Sequence, residues 1–131
     1  MSEAYGIVVA HADLAAALVR TVERISGVEG ALGAISNDGC GLDELKSRLA
    51  GECGHGRTVL FVDLAAGSCG LAGLGIARGG QEIAVISGAN VPMLLDFVFH
   101  RDMELGALTE RLADRARDGI RVTFVPAADP L

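Results

Sequence analysis

Four short apolar runs recur along the chain, and none of them alternates strictly between apolar and polar positions. Runs of this length that are rich in β-branched residues are typical of strands covered on both faces. We therefore predict strands over residues 5–10, 31–36, 58–62 and 82–87.

The segments between these strands carry apolar residues at the three- and four-residue spacing of helices. Leu14, Leu18 and Val22 mark the first helix. Asp13 is suited to cap its start, and Gly27 to end it. The remaining helices are predicted from Leu42 to about Gly51, from the glycine-rich corner at 65–70 to about Arg78, from Pro92 to Val98 with Asn90 as the cap, and from beyond Asp102 to Gly119.

The alternation of strands and helices predicts an α/β fold, a doubly wound and mainly parallel four-stranded sheet with helices on both faces. Residues 120–125 differ, because Arg121 and Thr123 interrupt their apolar positions. We expect them to form a C-terminal edge strand that is antiparallel to the sheet or swapped between the subunits of a dimer. With 131 residues, the chain has the length of a single domain, residues 1–131.

Charge and hydropathy narrow the function classes. The net charge is −6, and Lys and Arg form no cluster, which argues against binding to nucleic acid. The longest uncharged stretches, 64–77 and 83–95, are shorter than the roughly 20 apolar residues that span a bilayer. The acidic start of the chain lacks the features of a signal peptide. We therefore expect a cytoplasmic protein without membrane insertion.

The cysteines are Cys40, Cys53 and Cys69, which are widely spaced and form no C-x-x-C pair. This spacing indicates neither a disulfide framework nor a zinc site. A metal site could combine Cys53 and His55 with Cys40, but an exposed glycine-rich loop explains the segment better. Accordingly, we expect no metal ion and no cofactor.

His11 and Asp63 each follow directly after a predicted strand, the first and the third. In an open α/β sheet, ligands and catalytic groups collect outside the carboxyl ends of the strands. If the first and third strands are neighbours, as this topology favours, the two side chains meet although they are distant in sequence. We expect this pair to carry the chemistry.

A carboxylate beside His11 would fix the tautomer of its imidazole, because a neutral ring has one donor and one acceptor nitrogen. Asp63 would accept from one nitrogen and leave the other as a nucleophile, so we assign catalytic roles to His11 and Asp63. Gly67 and Ser68 open the next predicted helix and can offer N–H groups and a hydroxyl to phosphate oxygens. These residues predict phosphoryl transfer, which depends mainly on positioning and charge stabilisation.

Three segments are distinctive: IVVAH at residues 7–11, FVD at 61–63 with Gly67 and Ser68 after it, and GANVPML at 88–94. The last, which continues to His100-Arg101-Asp102, is the most specific of the three. In these segments, and over nearly its whole length, the chain resembles the enzyme IIA domain of the mannose family of the bacterial sugar phosphotransferase system.

This resemblance implies a doubly wound α/β fold, commonly dimeric, that carries phosphoryl groups. His11 would accept the group from the phosphohistidine of the carrier protein HPr. The family's aspartate role falls to Asp63 and its phosphate-loop serine to Ser68. The next acceptor would be a histidine or cysteine of a sugar-specific IIB partner.

The chain departs from the family at four positions near the expected site. The family usually has Gly after its histidine, a Gly-Gly-Ser-Pro loop, and often a bulky residue before that loop. This chain has Ala12 after the histidine, Ala66 and Cys69 in the loop, and Ala65 before it. We expect a more open pocket and a changed phosphohistidine lifetime or partner choice.

The same acceptor histidine would serve two related functions. One is a regulatory phosphoprotein of an incomplete phosphotransferase system, and the other is a phosphoryl donor subunit for a dihydroxyacetone kinase. The sequence does not separate these from a role in transport.

Functions other than phosphoryl transfer fit the sequence less well. Residues 66–70 approach the G-x-S-x-G nucleophile elbow of hydrolases, but the first residue is wrong and His100 is the only histidine downstream. A receiver domain would need acidic residues where His11 stands, and a flavodoxin would need a hydroxyl-rich first loop.

Overall fold

Strands and helices alternate along the chain, which the computed structural model describes over residues 2–39, 41–52, 56–64 and 82–129. The strands are β1 (Tyr5–Ala10), β2 (Leu32–Ser36), β3 (Thr58–Val62) and β4 (Ile83–Ser87). The helices are α1 (Leu14–Ser26), α2 (Leu42–Glu52), α3 (Val91–Val98) and α4 (Leu105–Asp118). Within the described ranges, no helix is long and apolar enough to cross a membrane. The predicted helix between residues 65 and 78 lies outside them.

The sheet consists of four parallel strands in the order β2-β1-β3-β4. The central strands β1 and β3 supply most of its buried side chains, and every residue of β3 is buried. Helices α1, α3 and α4 pack on one face, and α2 packs on the other. The predicted α/β fold, with a parallel sheet covered on both faces, is confirmed.

Phe61 of β3 and Phe97 of α3 anchor the larger of the two core clusters. Their rings meet edge to face with centroids 5.1 Å apart, an arrangement that contributes about 0.5–1.5 kcal/mol beyond the burial of area. Gly6 allows Phe97 to approach β1, because a Cβ atom there would lie 2.7 Å from the Phe97 ring. This packing fixes α3 against the sheet.

At the amino edge of the sheet, the buried Arg57 ties separate segments together. It is 7% exposed, and its guanidinium donates to the backbone carbonyls of Ser2, Arg101 and Met103. Arg101 in turn donates to the carbonyl of Ala4 at 2.7 Å. These bonds hold the start of the chain and the α3–α4 connection to the residue that precedes β3.

Residues 120–129 follow α4 without forming a helix or a strand. Ile120, Val122 and Phe124 are 72%, 89% and 83% exposed. The expected C-terminal strand is therefore absent from this chain's own sheet, which ends at β4 in the part that the structure describes. A strand needs a neighbour for its backbone hydrogen bonds, so this segment can form one only where an edge is offered to it.

Candidate functional site

The candidate site lies at the carboxyl edge of the two central strands. β1 and β3 run side by side with Val9 opposite Val62. His11 follows β1 and Asp63 follows β3, so the strand order brings both residues to the same edge. The adjacency expected from the topology is present, and with it the contact between the two side chains.

A single oxygen of Asp63 accepts two hydrogen bonds from His11. Its Oδ2 lies 2.7 Å from the ring Nδ1 and 3.0 Å from the backbone nitrogen of His11. The other oxygen, Oδ1, accepts from the N–H of Leu64 at 3.0 Å. The carboxylate therefore holds both the backbone and the ring of the histidine.

The two partners differ in their access to solvent. The side chain of Asp63 is 13% exposed, whereas that of His11 is 56% exposed. The hydrogen-bonded side of the ring is thus sheltered, while much of the imidazole remains open to an incoming group.

The surroundings of Asp63 favour its ionised form. Burial acts to raise the pKa of this carboxyl, but the backbone and ring hydrogen bonds from His11, the attraction to a charged imidazole and the residue's own backbone N–H outweigh it. The pKa of Asp63 is therefore lowered from its ordinary value. A carboxylate only accepts hydrogen bonds, so Nδ1 donates and the lone pair of the neutral ring resides on Nε2.

The corner between β1 and α1 is strained at Ala12, whose φ of 51° is left-handed. Such a backbone costs a residue with a Cβ atom roughly 1–2 kcal/mol. The N–H of Ala12 donates to Asp38 Oδ1 at 3.0 Å, which helps to hold this conformation. Asp13 occupies the predicted N-cap position of α1, but its side chain makes no capping hydrogen bond.

Asn37 is a site residue that the sequence analysis missed. It follows β2, and its side-chain Nδ2 lies 3.4 Å from Nε2 of His11. Residue 37 falls between the predicted strand at 31–36 and the predicted helix from Leu42, where apolar periodicity singles out no residue. The strand order could have identified Asn37. Since β2 also neighbours β1, the residues that follow these two strands lie at the same edge of the sheet.

The loop between β4 and α3 contributes to the same edge. The N–H of Ala89 donates to the carbonyl of Val62 at 3.0 Å, next to Asp63. Asn90 caps α3 as predicted, since its side chain accepts from the N–H of Met93 at 3.1 Å. Its amide also donates to the carbonyl of Ala116 at 3.0 Å, which ties the start of α3 to α4.

Several predicted residues fall outside the described ranges. Gly67 and Ser68, predicted to bind phosphate, belong to this group, and so do the departures Ala65, Ala66 and Cys69. Their assigned roles stay predictions. The residues considered for a metal site, Cys40, Cys53 and His55, also lie outside the described ranges. Among the residues that are described, no group of three or more His, Cys, Asp or Glu could hold a metal ion.

His100 lies away from the candidate site. It follows α3, and its Nδ1 lies 2.8 Å from the carbonyl oxygen of Asp96. The next residue, Arg101, contacts Ala4 before β1, which places this connection at the amino edge of the sheet. A hydrolase triad that used His100 would need it at the carboxyl edge instead.

Residues 6–113 match the sequence model of a family described as the PTS system fructose IIA component, EIIA-man. No curated protein sequence matches the chain.

Several solved structures share the fold. The phosphotransferase system component EIIA from Streptococcus agalactiae superposes with a TM-score of 0.83 at 22% identity, over 91% of this chain and 96% of that one. The mannose/sorbose specific IIA subunit of the phosphotransferase system from Enterococcus faecalis has a TM-score of 0.80 at 19% identity, over 98% of this chain and 100% of that one. At such identities the likeness establishes the fold.

Proposed function

The chain belongs to the mannose-type enzyme IIA family of the phosphotransferase system, and we propose that it carries a phosphoryl group on Nε2 of His11. Its phosphotransferase-system role follows from the family. Residues 1–131 would act as one such domain.

The observation that carries the proposal is the 2.7 Å contact between Nδ1 of His11 and the ionised Asp63. This contact leaves the lone pair on Nε2, and the ring is 56% exposed. An exposed, tautomer-fixed imidazole suits the acceptance of a phosphoryl group from another protein.

The donor is phosphohistidine of HPr. The Nε2 lone pair forms the new bond to phosphorus, while the bond from phosphorus to the donor's ring nitrogen breaks and leaves its electron pair on that nitrogen. The proton on Nδ1 stays there. The positive charge that develops on the ring is met by the carboxylate of Asp63, and Gly67 and Ser68 bind the phosphoryl oxygens.

The onward step uses the same geometry in reverse. A histidine or cysteine of a IIB subunit attacks phosphorus, and the electron pair of the breaking bond returns to Nε2. Labelled protein mixed with a candidate IIB subunit would lose its phosphoryl group to that subunit.

Labelling with phospho-HPr tests the proposal. The intact mass of the protein should increase by one phosphoryl group that is labile in acid and stable in base. His11→Ala should abolish the increase, and the matched control His100→Ala should retain it. Labelling that persists in His11→Ala, or a wild-type protein that several HPr donors leave unlabelled, would contradict the proposal.

We also propose a homodimer in which residues 120–125 of each subunit pair with β4 of the other. Among the described strands, β4 lies at an edge of the sheet, and none of its residues is fully buried. A groove beside it is lined by Ile86 and Ser87 of the strand and by Ala113 and Ala116 of α4, with Ile120 at the start of the segment. In such a dimer, the exposed apolar side chains of residues 120–125 would cover the groove, and their backbone would pair with the edge at β4.

Light scattering of the full chain should give the mass of a dimer, and truncation after Gly119 should give a monomer. A monomeric full chain, or a truncated protein that stays dimeric, would contradict this assembly.

A further inference from the structure

Backbone hydrogen bonding holds Asn37 beside His11. Its backbone N–H donates to the carbonyl of Ala10 at 3.0 Å, which continues the β1–β2 ladder one step past the pair Ala10–Ser36. The next residue, Asp38, accepts from the N–H of Ala12 at 3.0 Å. The corners after β1 and β2 are thus joined on both sides of His11.

The side chain of Asn37 approaches the ring nitrogen opposite Asp63. Its Nδ2 lies 3.4 Å from Nε2, while Nδ1 lies 2.7 Å from the carboxylate. An amide nitrogen only donates, so it pairs with a ring nitrogen that bears a lone pair. A carboxylate only accepts, so it pairs with a ring nitrogen that bears a proton. Both neighbours therefore select the same tautomer, with the proton on Nδ1.

We propose that Asn37 is a positioning residue for phosphoryl transfer: its amide keeps the lone pair on Nε2 at rest and donates to a phosphoryl oxygen once Nε2 is phosphorylated. This inference rests on the proposed function of His11. Because phosphorus bonds along the direction of that lone pair, the amide must move aside as the group arrives, and it then donates to a phosphoryl oxygen.

The negative charge around the ring increases the effect of the Asn37 N–H donor on a bound phosphoryl group. Asp63 contacts the ring, and Asp38 binds the neighbouring backbone. Negative charge from both would repel a phosphoryl group. Among the described side chains that contact the ring, Asn37 is the one that brings an N–H donor toward the side where phosphorus binds. Hydrogen bonds from such donors to ionised oxygens are shorter and stronger than neutral ones.

The test compares Asn37→Ala, Asn37→Asp and the double variant Asn37→Asp with Asp38→Asn. Asn37→Asp keeps the shape of the side chain but removes the donor and adds a charge. The double variant restores the net charge, and its new amide oxygen still accepts from Ala12. All three keep the backbone bond to Ala10, and thermal melting verifies that they fold.

The first readout is the phosphorylation equilibrium with phospho-HPr, measured by intact mass. All three variants should shift it toward phospho-HPr by at least about tenfold, because the phosphorylated state loses a charge-assisted hydrogen bond. If the double variant matches the wild type while Asn37→Asp does not, charge rather than the donor acts, and the inference is wrong. Variants that all lie within about twofold of the wild type would overturn it as well.

The second readout does not depend on phosphorylation. The ¹⁵N resonances of the His11 ring should show an unprotonated Nε2 in the wild type at alkaline pH. In Asn37→Asp, the new carboxylate should draw a proton to Nε2 at the same pH. An unchanged Nε2 resonance would contradict the role of Asn37. A wild-type protein that takes no phosphoryl group would refute the proposed function separately, through the first readout.

Discussion

Replacement of Asp63 by Asn probes the site directly, because an amide cannot reproduce the hydrogen bonds of the carboxylate. Oδ2 accepts from the backbone and ring N–H groups of His11, and Oδ1 accepts from the N–H of Leu64. With the amide oxygen toward His11, the NH₂ group faces the donor of Leu64. With the amide turned round, the NH₂ group faces the backbone N–H and the ring Nδ1 of His11. It then donates to Nδ1, so the ring proton lies on Nε2, and Nε2 has no lone pair for phosphorus.

The size of the effect follows from the bonds that are lost. A hydrogen bond to a charged group contributes about 1.5–3 kcal/mol. The carboxylate meets the positive charge that develops on the ring during transfer, so most of this loss falls on the transition state. Since each 1.36 kcal/mol changes a rate tenfold, we expect phosphoryl acceptance to slow by roughly 10- to 150-fold. The free energy of unfolding should fall by about 1–2 kcal/mol, because one donor loses its acceptor in either orientation.

Rapid-quench labelling with phospho-HPr, followed by intact mass, measures the rate, and urea unfolding measures the stability. His11→Ala is the control, since it removes the acceptor while Asp63 keeps its bond to Leu64. An Asp63→Asn protein that accepts phosphoryl groups at the wild-type rate would refute the argument that this carboxylate sets the reactive tautomer.

Three further predictions concern stability. Because the pKa of Asp63 is lowered in the folded protein, its contribution to the free energy of unfolding is complete above the ordinary value of 3.8 and is lost as the pH falls through the lower folded value. The free energies of unfolding of the wild type and Asp63→Asn, measured in urea, should therefore converge in acid. A difference that stays constant with pH would contradict this. Ala12→Gly should raise the free energy of unfolding by about 0.5–1 kcal/mol, as left-handed strain outweighs the added chain entropy; a lower melting temperature would count against it. Arg57→Met should lower the free energy of unfolding by about 2–4 kcal/mol but leave the rate of labelling within about twofold of the wild type. A larger loss of labelling in folded protein would contradict the separation of Arg57, at the amino edge of the sheet, from the site at the carboxyl edge.

The fold and the central contact were predictable because they depend on periodicity and strand order. Buried-type strands separated by helical segments leave few topologies besides a doubly wound parallel sheet. Once β1 and β3 are neighbours, the residues that follow them must share an edge. The contact between His11 and Asp63 therefore needed no knowledge of loop conformation.

The remaining polar contacts depend on loop geometry that no periodicity encodes. Asp38 accepts from the N–H of Ala12, a residue whose left-handed backbone no apolar pattern predicts. In the sequence, Arg57 is a charged residue directly before a predicted strand, a position that is commonly exposed. In the structure its guanidinium is buried among carbonyl groups of distant segments. Residues 120–125 pair with neither terminal strand of this chain's own sheet, and the alternation of their apolar positions does not encode that outcome.

The strand order also explains why the His11 ring has a polar neighbour at each of its two nitrogens. β1 lies between β2 and β3, so the residue after β1 has one neighbouring corner on each side. Asp63 from the β3 corner meets Nδ1, and Asn37 from the β2 corner meets Nε2. A histidine after an edge strand would have only one such neighbour and could have only one ring nitrogen held in this way. The central position of the strand therefore allows an acceptor on one nitrogen and a donor on the other, and this pair of contacts selects the tautomer that the proposed transfer to Nε2 requires.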